Sequence, residues 1–249
     1  MKNKEYAIIA EDYEANHSKY DSPIKFCYNY TNKKDIEIVG IISSWLAYGD
    51  ICSYTNKTYC LIKNIIGEEP YNYIISGSWA KYKDDYSCLY RVTTWHNFSV
   101  LCEKLRFVYL NYKDLEDATL TNFKDRKNKY KYYFQSLCGL LGGETMMQTN
   151  ESCGTNKRIN LFLMWMIRKD SKNELGIWKS LKQEHLLIPC DTQLLLVAKK
   201  LGIIDKVDEN ISTVINLTNF AKKVFSEDPT KIYYTLCGIL KDKDYVHRI

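Results

Sequence analysis

Residues 156–168 read NKRINLFLMWMIR, and this stretch decides how the rest of the chain must fold. Ile159, Leu161, Phe162, Leu163, Trp165, Met166 and Ile167 surround nearly the whole circumference of the helix expected here. A helix that is apolar on nearly every side lies deep in the protein, so it reads as the central helix. Its polar residues gather at the ends, with Lys157 in the first turn and Arg168 at the last position.

Downstream, a charged turn at 169–174 leads to LGIWKSL (175–181), which reads as a short helix. LLIP then enters DTQLLLVAKKLG (191–202), a helix with a start and a stop: Asp191 is placed to cap it and Gly202 follows its last turn. Helices near 210–224 and over 229–240 close the chain, the second with Asp228 as cap and Pro229 at its first position.

Upstream, DIEIVGIISSWLAYG (35–49) suits a buried helix. A strand over 36–42 is the alternative, because Ile and Val favour strands, but residues 43–47 prolong the apolar face beyond ordinary strand length. A second helix is expected from Asp50 to Ile66, ending at Gly67, with Pro70 closing the turn after it. Residues 71–94 read as irregular or short helical structure, and helical spacing resumes over 97–111. A helix near 131–141 stops at Gly142-Gly143, and a polar loop runs from 144 to 156. The first 20 residues suit an amphipathic opening helix. The run FKDRKNKYKYY (123–133) interleaves Lys124, Arg126, Lys127, Lys129 and Lys131 with tyrosines, as either a solvated face or a phosphate-contacting patch.

Composition agrees with helices. Only four prolines and eleven glycines interrupt 249 residues that are 45% hydrophobic. That is too few turn formers for the many tight turns of an all-β sandwich, and too apolar for disorder. No apolar stretch approaches the roughly 18 residues needed to cross a bilayer, and the start lacks a signal peptide, so a cytoplasmic protein is expected. Nine scattered cysteines form no C-x-x-C pair and read as reduced apolar fillers. The four histidines do not cluster, so no metal cluster and no cofactor are expected. A net charge of +5 permits nucleic acid as a partner without demanding it.

The segment IPCDTQLLLVAKKLGII (188–204) resembles the part of the endonuclease III-like DNA glycosylases that reads V-D-T-H-x-x-R-V-x-x-R-L-G-L. Asp191, Thr192, Val197, Leu201 and Gly202 match and Lys200 keeps a basic residue, whereas Gln193 and Leu196 replace histidine and arginine. The wider span 153–191, with KRINLFLMWMIRKD, LGIW and LLIPCDT, resembles a bacterial family of unknown function. Its members read K-R-L-N-x-F-L-R-W-M-V-R, D-L-G-x-W and L-I-I-P-L-D-T-H. DIEIVGIISSWLAYGD and DPTKIYYTLCGIL extend this likeness over most of the chain. That family is itself similar to the helix-hairpin-helix DNA glycosylases, nearest the archaeal branch acting on 8-oxoguanine. There a lysine begins the central helix and an aspartate follows some thirty residues later; here Lys157 and Asp191 are 34 apart. The chain departs from the pattern at the hairpin, where TNESCGTN (149–156) replaces L-P-G-V-G, and at Met164 and Glu174, which replace arginine and aspartate.

The resemblance implies an all-α, helix-hairpin-helix glycosylase-like fold: two closely packed helical subdomains with a cleft between them. A core subdomain would span about 35–145, the catalytic region about 146–204 and the C-terminal helices 205–249. It implies a monomer that acts on DNA containing a damaged base, with Lys157 as Schiff-base nucleophile and Asp191 as its electrostatic and proton-transfer partner. Thr192, Arg158 and Trp45 are candidate substrate contacts, although Trp45, like Trp165 and Trp178, reads first as core.

A lysine attacks C1′ of a nucleotide only as the free amine, and burial beside a helix N-terminus disfavours the ammonium. A carboxylate at an N-cap stays ionised and stabilises positive charge developing on the sugar. The helix from 157 to 168 travels roughly 18 Å, and the 22 residues that follow are long enough to return. Two other readings stand beside this one: a non-catalytic nucleic-acid-binding protein that keeps the fold, and a protein-binding helical scaffold.

Overall fold

The computed structural model describes residues 3–16, 22–125, 130–145, 147, 154–169 and 171–242. Among them, helices carry the fold and one two-stranded hairpin is the sole sheet. The chain divides into two compact units, Met1–Lys19 with Thr149–Ile249, and Tyr20–Gln148.

In the second unit, α2 (Lys33–Trp45) is a helix, not a strand. The Asn32 side chain caps it by accepting from the Lys34 N–H, and every residue from Ile36 to Trp45 is buried. α3 (Ile51–Leu61) starts at Asp50, whose carboxylate accepts from the Ser53 N–H at 2.8 Å. The chain then continues as a π-helical turn, Ile62–Ile66, and stops at Gly67, whose φ of 83° favours glycine. Pro70 does not merely close a turn: it opens α4 (Pro70–Ser76), where its missing N–H costs no hydrogen bond. A 3₁₀ turn, Ser78–Tyr82, and a hairpin of β1 (Cys88–Tyr90) with β2 (Thr93–Thr94) complete the stretch expected to be irregular or short helical. α5 (Trp95–Asn111) follows, capped by a Thr94–Asn97 box.

α6 (Leu115–Asp125) has no counterpart in the sequence reading. Two of its four buried residues, Glu116 and Thr119, are polar, which hides the apolar period. They are tolerated because each has a partner. Glu116 and Asp114 accept from Lys33 Nζ at 2.5 and 2.8 Å, and the Thr119 hydroxyl donates to the Leu115 carbonyl. The nearby Glu37 is fully buried at the foot of α2 and accepts from Tyr109 and from the Leu115 N–H. α7 (Tyr133–Leu141) packs on α6 and ends before Gly142. Within the basic run, Lys124 and Lys131 are exposed, while Arg126, Lys127 and Lys129 lie outside the described residues.

In the first unit, α8 (Lys157–Ile167) buries everything from Ile159 to Ile167, as its composition demands. The helix expected over 175–181 is absent. LGIW instead is irregular, with Gly176 left-handed at φ 54°, and it donates to the end of α8: Leu175 N–H to Trp165 O, Trp178 N–H to Met166 O. A helix end buried this deeply needs partners for its last carbonyls, and a non-helical segment supplies N–H groups that another helix would have spent internally. Trp178 then packs edge-on against Phe162 at 5.4 Å.

α9 (Thr192–Lys200) is capped by Asp191 and stopped at Gly202, α10 is Ile211–Val224, and α11 is Lys231–Lys241. α11 starts two residues later than the sequence reading has it, because Asp228, Pro229 and Thr230 form a turn of their own before it. α1 (Asn3–Asn16) packs along α11.

Arg168 is 1% exposed at the end of α8 and gathers this unit. Its guanidinium donates to Asp228 at 2.6 Å, to Glu174 at 2.7 Å and to both oxygens of Glu14 at 2.8 and 2.9 Å. Burial opposes its charge, yet the Glu14 hydrogen bonds and the charges of Glu174, Asp228 and Glu14 together hold it above its ordinary value. Replacing Arg168 with Met leaves three acidic groups uncompensated in the interior. The expected loss is about 3–5 kcal/mol in urea unfolding; a change under about 1 kcal/mol would show that the network does not hold this unit together.

Candidate functional site

α8 begins abruptly. Asn156 has φ 52° and ψ 34°, left-handed and uncommon outside glycine, and Gly154, two residues earlier, has φ 125°. This bend sets Lys157 at the first helical position, where its side chain is about 30% exposed. From there Nζ meets Asp191 Oδ2 at 2.8 Å. The two residues stand 34 apart in sequence, and the structure brings them together.

Asp191 arrives by a different constraint. It is the N-cap of α9, and Oδ1 accepts from the Leu194 N–H at 3.0 Å, which leaves Oδ2 for the lysine. One carboxylate oxygen is thus spent on placing the residue and the other on Lys157. Burial pushes the Asp191 carboxyl up. The Lys157 charge and hydrogen bond, with the Leu194 and Gln193 N–H groups, outweigh it and hold the carboxyl below its ordinary value. It is therefore ionised at neutral pH.

A second link lies alongside: the Thr155 hydroxyl donates to the Cys190 carbonyl at 2.5 Å. Residues 155 and 157 are thereby tied to 190 and 191 by parallel bonds, so the pair is held by more than its own attraction. Cys190 is fully buried, and burial pushes its thiol up, so it is a filler and not a nucleophile. Each cysteine among the described residues is free of disulfides, and among those residues no group of metal-binding side chains occurs.

The other sequence candidates fall differently. Thr192 is exposed at the first position of α9, and its hydroxyl donates to Glu209. Glu209, just before the α10 cap Asn210, is a carboxylate that the sequence held no motif or spacing to single out. Arg158 is half-exposed in the first turn of α8. Trp45 is fully buried in the other unit and its indole N–H donates to the Thr145 carbonyl at 2.7 Å. It is core, with no face presented to a ligand. Trp165 and Trp178 are core as well. Lys199, Lys200, Lys222 and Lys223 occupy the last turns of α9 and α10, where cations suit the helix dipole. Of the segment 149–156 that stands in place of a hairpin motif, residues 149–153 lie outside the described residues.

A family model described as a protein of unknown function, DUF2400, matches residues 22–240. No curated protein and no solved structure matches the chain. No helix among the described residues is long and apolar enough to cross a membrane.

The Asp191 shift carries a sign. A carboxyl held low in the folded protein contributes stability above its unfolded value, and that contribution disappears as pH falls through the lower folded value. Asp191→Asn keeps a capping oxygen and removes the charge. Thermal melts across a pH series should therefore show the variant less stable than wild type at neutral pH, with the gap closing in acid below the usual aspartate range. A gap independent of pH would mean that the ion pair contributes nothing.

Proposed function

We propose that this chain, which belongs to the DUF2400 family of proteins of unknown function, is a DNA glycosylase with associated strand-cleaving lyase activity, acting on a purine oxidised at C8 such as 8-oxoguanine. The observation that carries the reading is the 2.8 Å contact between Lys157 Nζ and Asp191 Oδ2. An amine at the first turn of a buried helix and an ionised carboxylate at the N-cap of another are the two groups such a reaction needs. A helix-hairpin-helix glycosylase fold, and a cytoplasmic monomer needing no cofactor or metal cluster, belong to the same proposal.

The chemistry follows from the two groups. Lys157 gives up a proton, for which Asp191 Oδ2 is the base within reach. The free amine attacks C1′ and its electron pair forms the C1′–N bond. The bond from C1′ to the purine N9 breaks, and its pair leaves with the base, which takes up a proton. Asp191 gives that departing base the proton it took from Lys157 and, as the restored carboxylate, stabilises the positive charge that develops on the sugar. The C1′–O4′ bond then opens as O4′ takes a proton from the attacking nitrogen, which leaves a protonated Schiff base, and loss of a C2′ proton from it breaks the C3′–O3′ bond and expels the 3′ phosphate.

The Thr155–Cys190 bond beside the pair supports a second reading. Two parallel links tie the starts of α8 and α9 whether or not chemistry occurs, as in a nucleic-acid-binding protein that has kept the fold and lost turnover. Borohydride trapping separates the two. Wild-type protein incubated with a duplex containing 8-oxoguanine or an abasic site should form a covalent adduct, and Lys157→Ala none. Asp191→Asn should form it more slowly by about a hundredfold. Salt-dependent DNA binding without an adduct on either duplex would favour the second reading.

A further inference from the structure

Among the described residues three helices have an asparagine as N-cap, and two of those asparagines do what the residue ordinarily does there. Asn32 and Asn210 are extended in backbone, and their side chains accept from the Lys34 and Thr213 N–H groups. Asn156 does not. Its backbone is left-handed, and its side chain caps no N–H of α8. The residue is 5% exposed, and neither Oδ1 nor Nδ2 has a hydrogen-bond partner.

A buried carboxamide with both polar atoms unpartnered costs free energy, and so does a left-handed backbone at a residue other than glycine. Glycine would relieve both at once, which makes asparagine the less stable choice for the fold. Such costs persist where a group is kept for a ligand. The position is specific too, since Asn156 directly precedes Lys157.

We infer that Asn156 reads the target base, Oδ1 accepting an N–H and Nδ2 donating to a carbonyl beside it; this rests on the glycosylase reading of Lys157 and Asp191. A carboxamide is complementary to an edge carrying a donor next to an acceptor. Guanine presents two acceptors, N7 and O6, along its major-groove edge, which would set Oδ1 against a lone pair. Oxidation at C8 turns N7 into an N–H donor flanked by carbonyls, and that edge matches the carboxamide at both atoms. Shielding from water sharpens the choice, because a base that leaves a buried polar group unpaired forgoes the free energy that admits the right one. The ligand class is thus a purine whose N7 carries hydrogen. Entry of the base displaces whatever covers the amide in the resting structure.

The test compares wild type with Asn156→Gly and Asn156→Asp in borohydride trapping on two duplexes, one with 8-oxoguanine and one with an abasic site that offers no base to read. Asn156→Gly should lose about tenfold or more in adduct rate on the oxidised base, stay within about twofold on the abasic site, and melt no lower than wild type. Asn156→Asp, which lacks the Nδ2 donor, should show the same selective loss. An equal loss on both duplexes would overturn the inference, since Asn156 would then act through Lys157. So would an undiminished rate on 8-oxoguanine, or a marked fall in melting temperature for Asn156→Gly. Wild-type adduct on the abasic site with none on 8-oxoguanine would overturn the ligand class while leaving Lys157 as nucleophile. No wild-type adduct on either would overturn the glycosylase reading and this inference together.

Discussion

The unit built from Met1–Lys19 and Thr149–Ile249 depends on a helix with no solvent face. Because α8 is buried from Ile159 to Ile167, its polar chemistry can occur only at its ends, and each end is closed by groups brought from distant sequence. At the C-terminal end the irregular 175–178 segment covers carbonyls of the last turn, and Arg168 draws in Glu14, Glu174 and Asp228. Three carboxylates around one guanidinium make a demanding arrangement. It persists because Tyr234 and Ser171 also donate to Glu174, and the Thr230 N–H and hydroxyl donate to Asp228, so few lone pairs are left bare.

The opposite end is closed less completely. There the chain turns through left-handed Asn156, Lys157 meets Asp191, and an amide stays unpartnered. One helix thus has an end closed by many hydrogen bonds that holds the fold and an end with an unpartnered amide that carries the candidate chemistry. Polar satisfaction favours stability, and its local absence leaves donors and acceptors for a substrate. The functional reading rests on this asymmetry as much as on the identity of the two charged residues.

Asp191 joins these levels. As the cap of α9 it belongs to secondary structure; as the partner of Lys157 it belongs to the site. The two roles use different oxygens, so neither excludes the other. The position of the carboxylate is set by backbone N–H groups that would persist when the lysine moves off to react, which is what electrostatic preorganisation requires.

Much of this was legible in the sequence. The buried character of α8, the helical nature of α2 and α5, and the capped start and glycine stop of α9 all follow from local chemistry, whereas Lys157 and Asp191 were paired by the family resemblance. Apolar spacing, caps and breakers act within a few residues of themselves. Three features did not follow. α6 was hidden because its buried face includes Glu116 and Thr119, acceptable only once Lys33 and the Leu115 carbonyl are beside them. The segment 175–181 was misread because its N–H groups go to α8 and not to its own chain. The roles of Asn156, Thr155 and Glu209 were invisible because left-handed backbone and hydrogen bonds spanning 35 and 17 residues leave no periodic trace. Sequence by itself determined most of the helical and buried segments, those whose pattern depends on neighbours in the chain. Only the tertiary structure decided which polar groups meet and which stay unpaired, since that depends on neighbours in space.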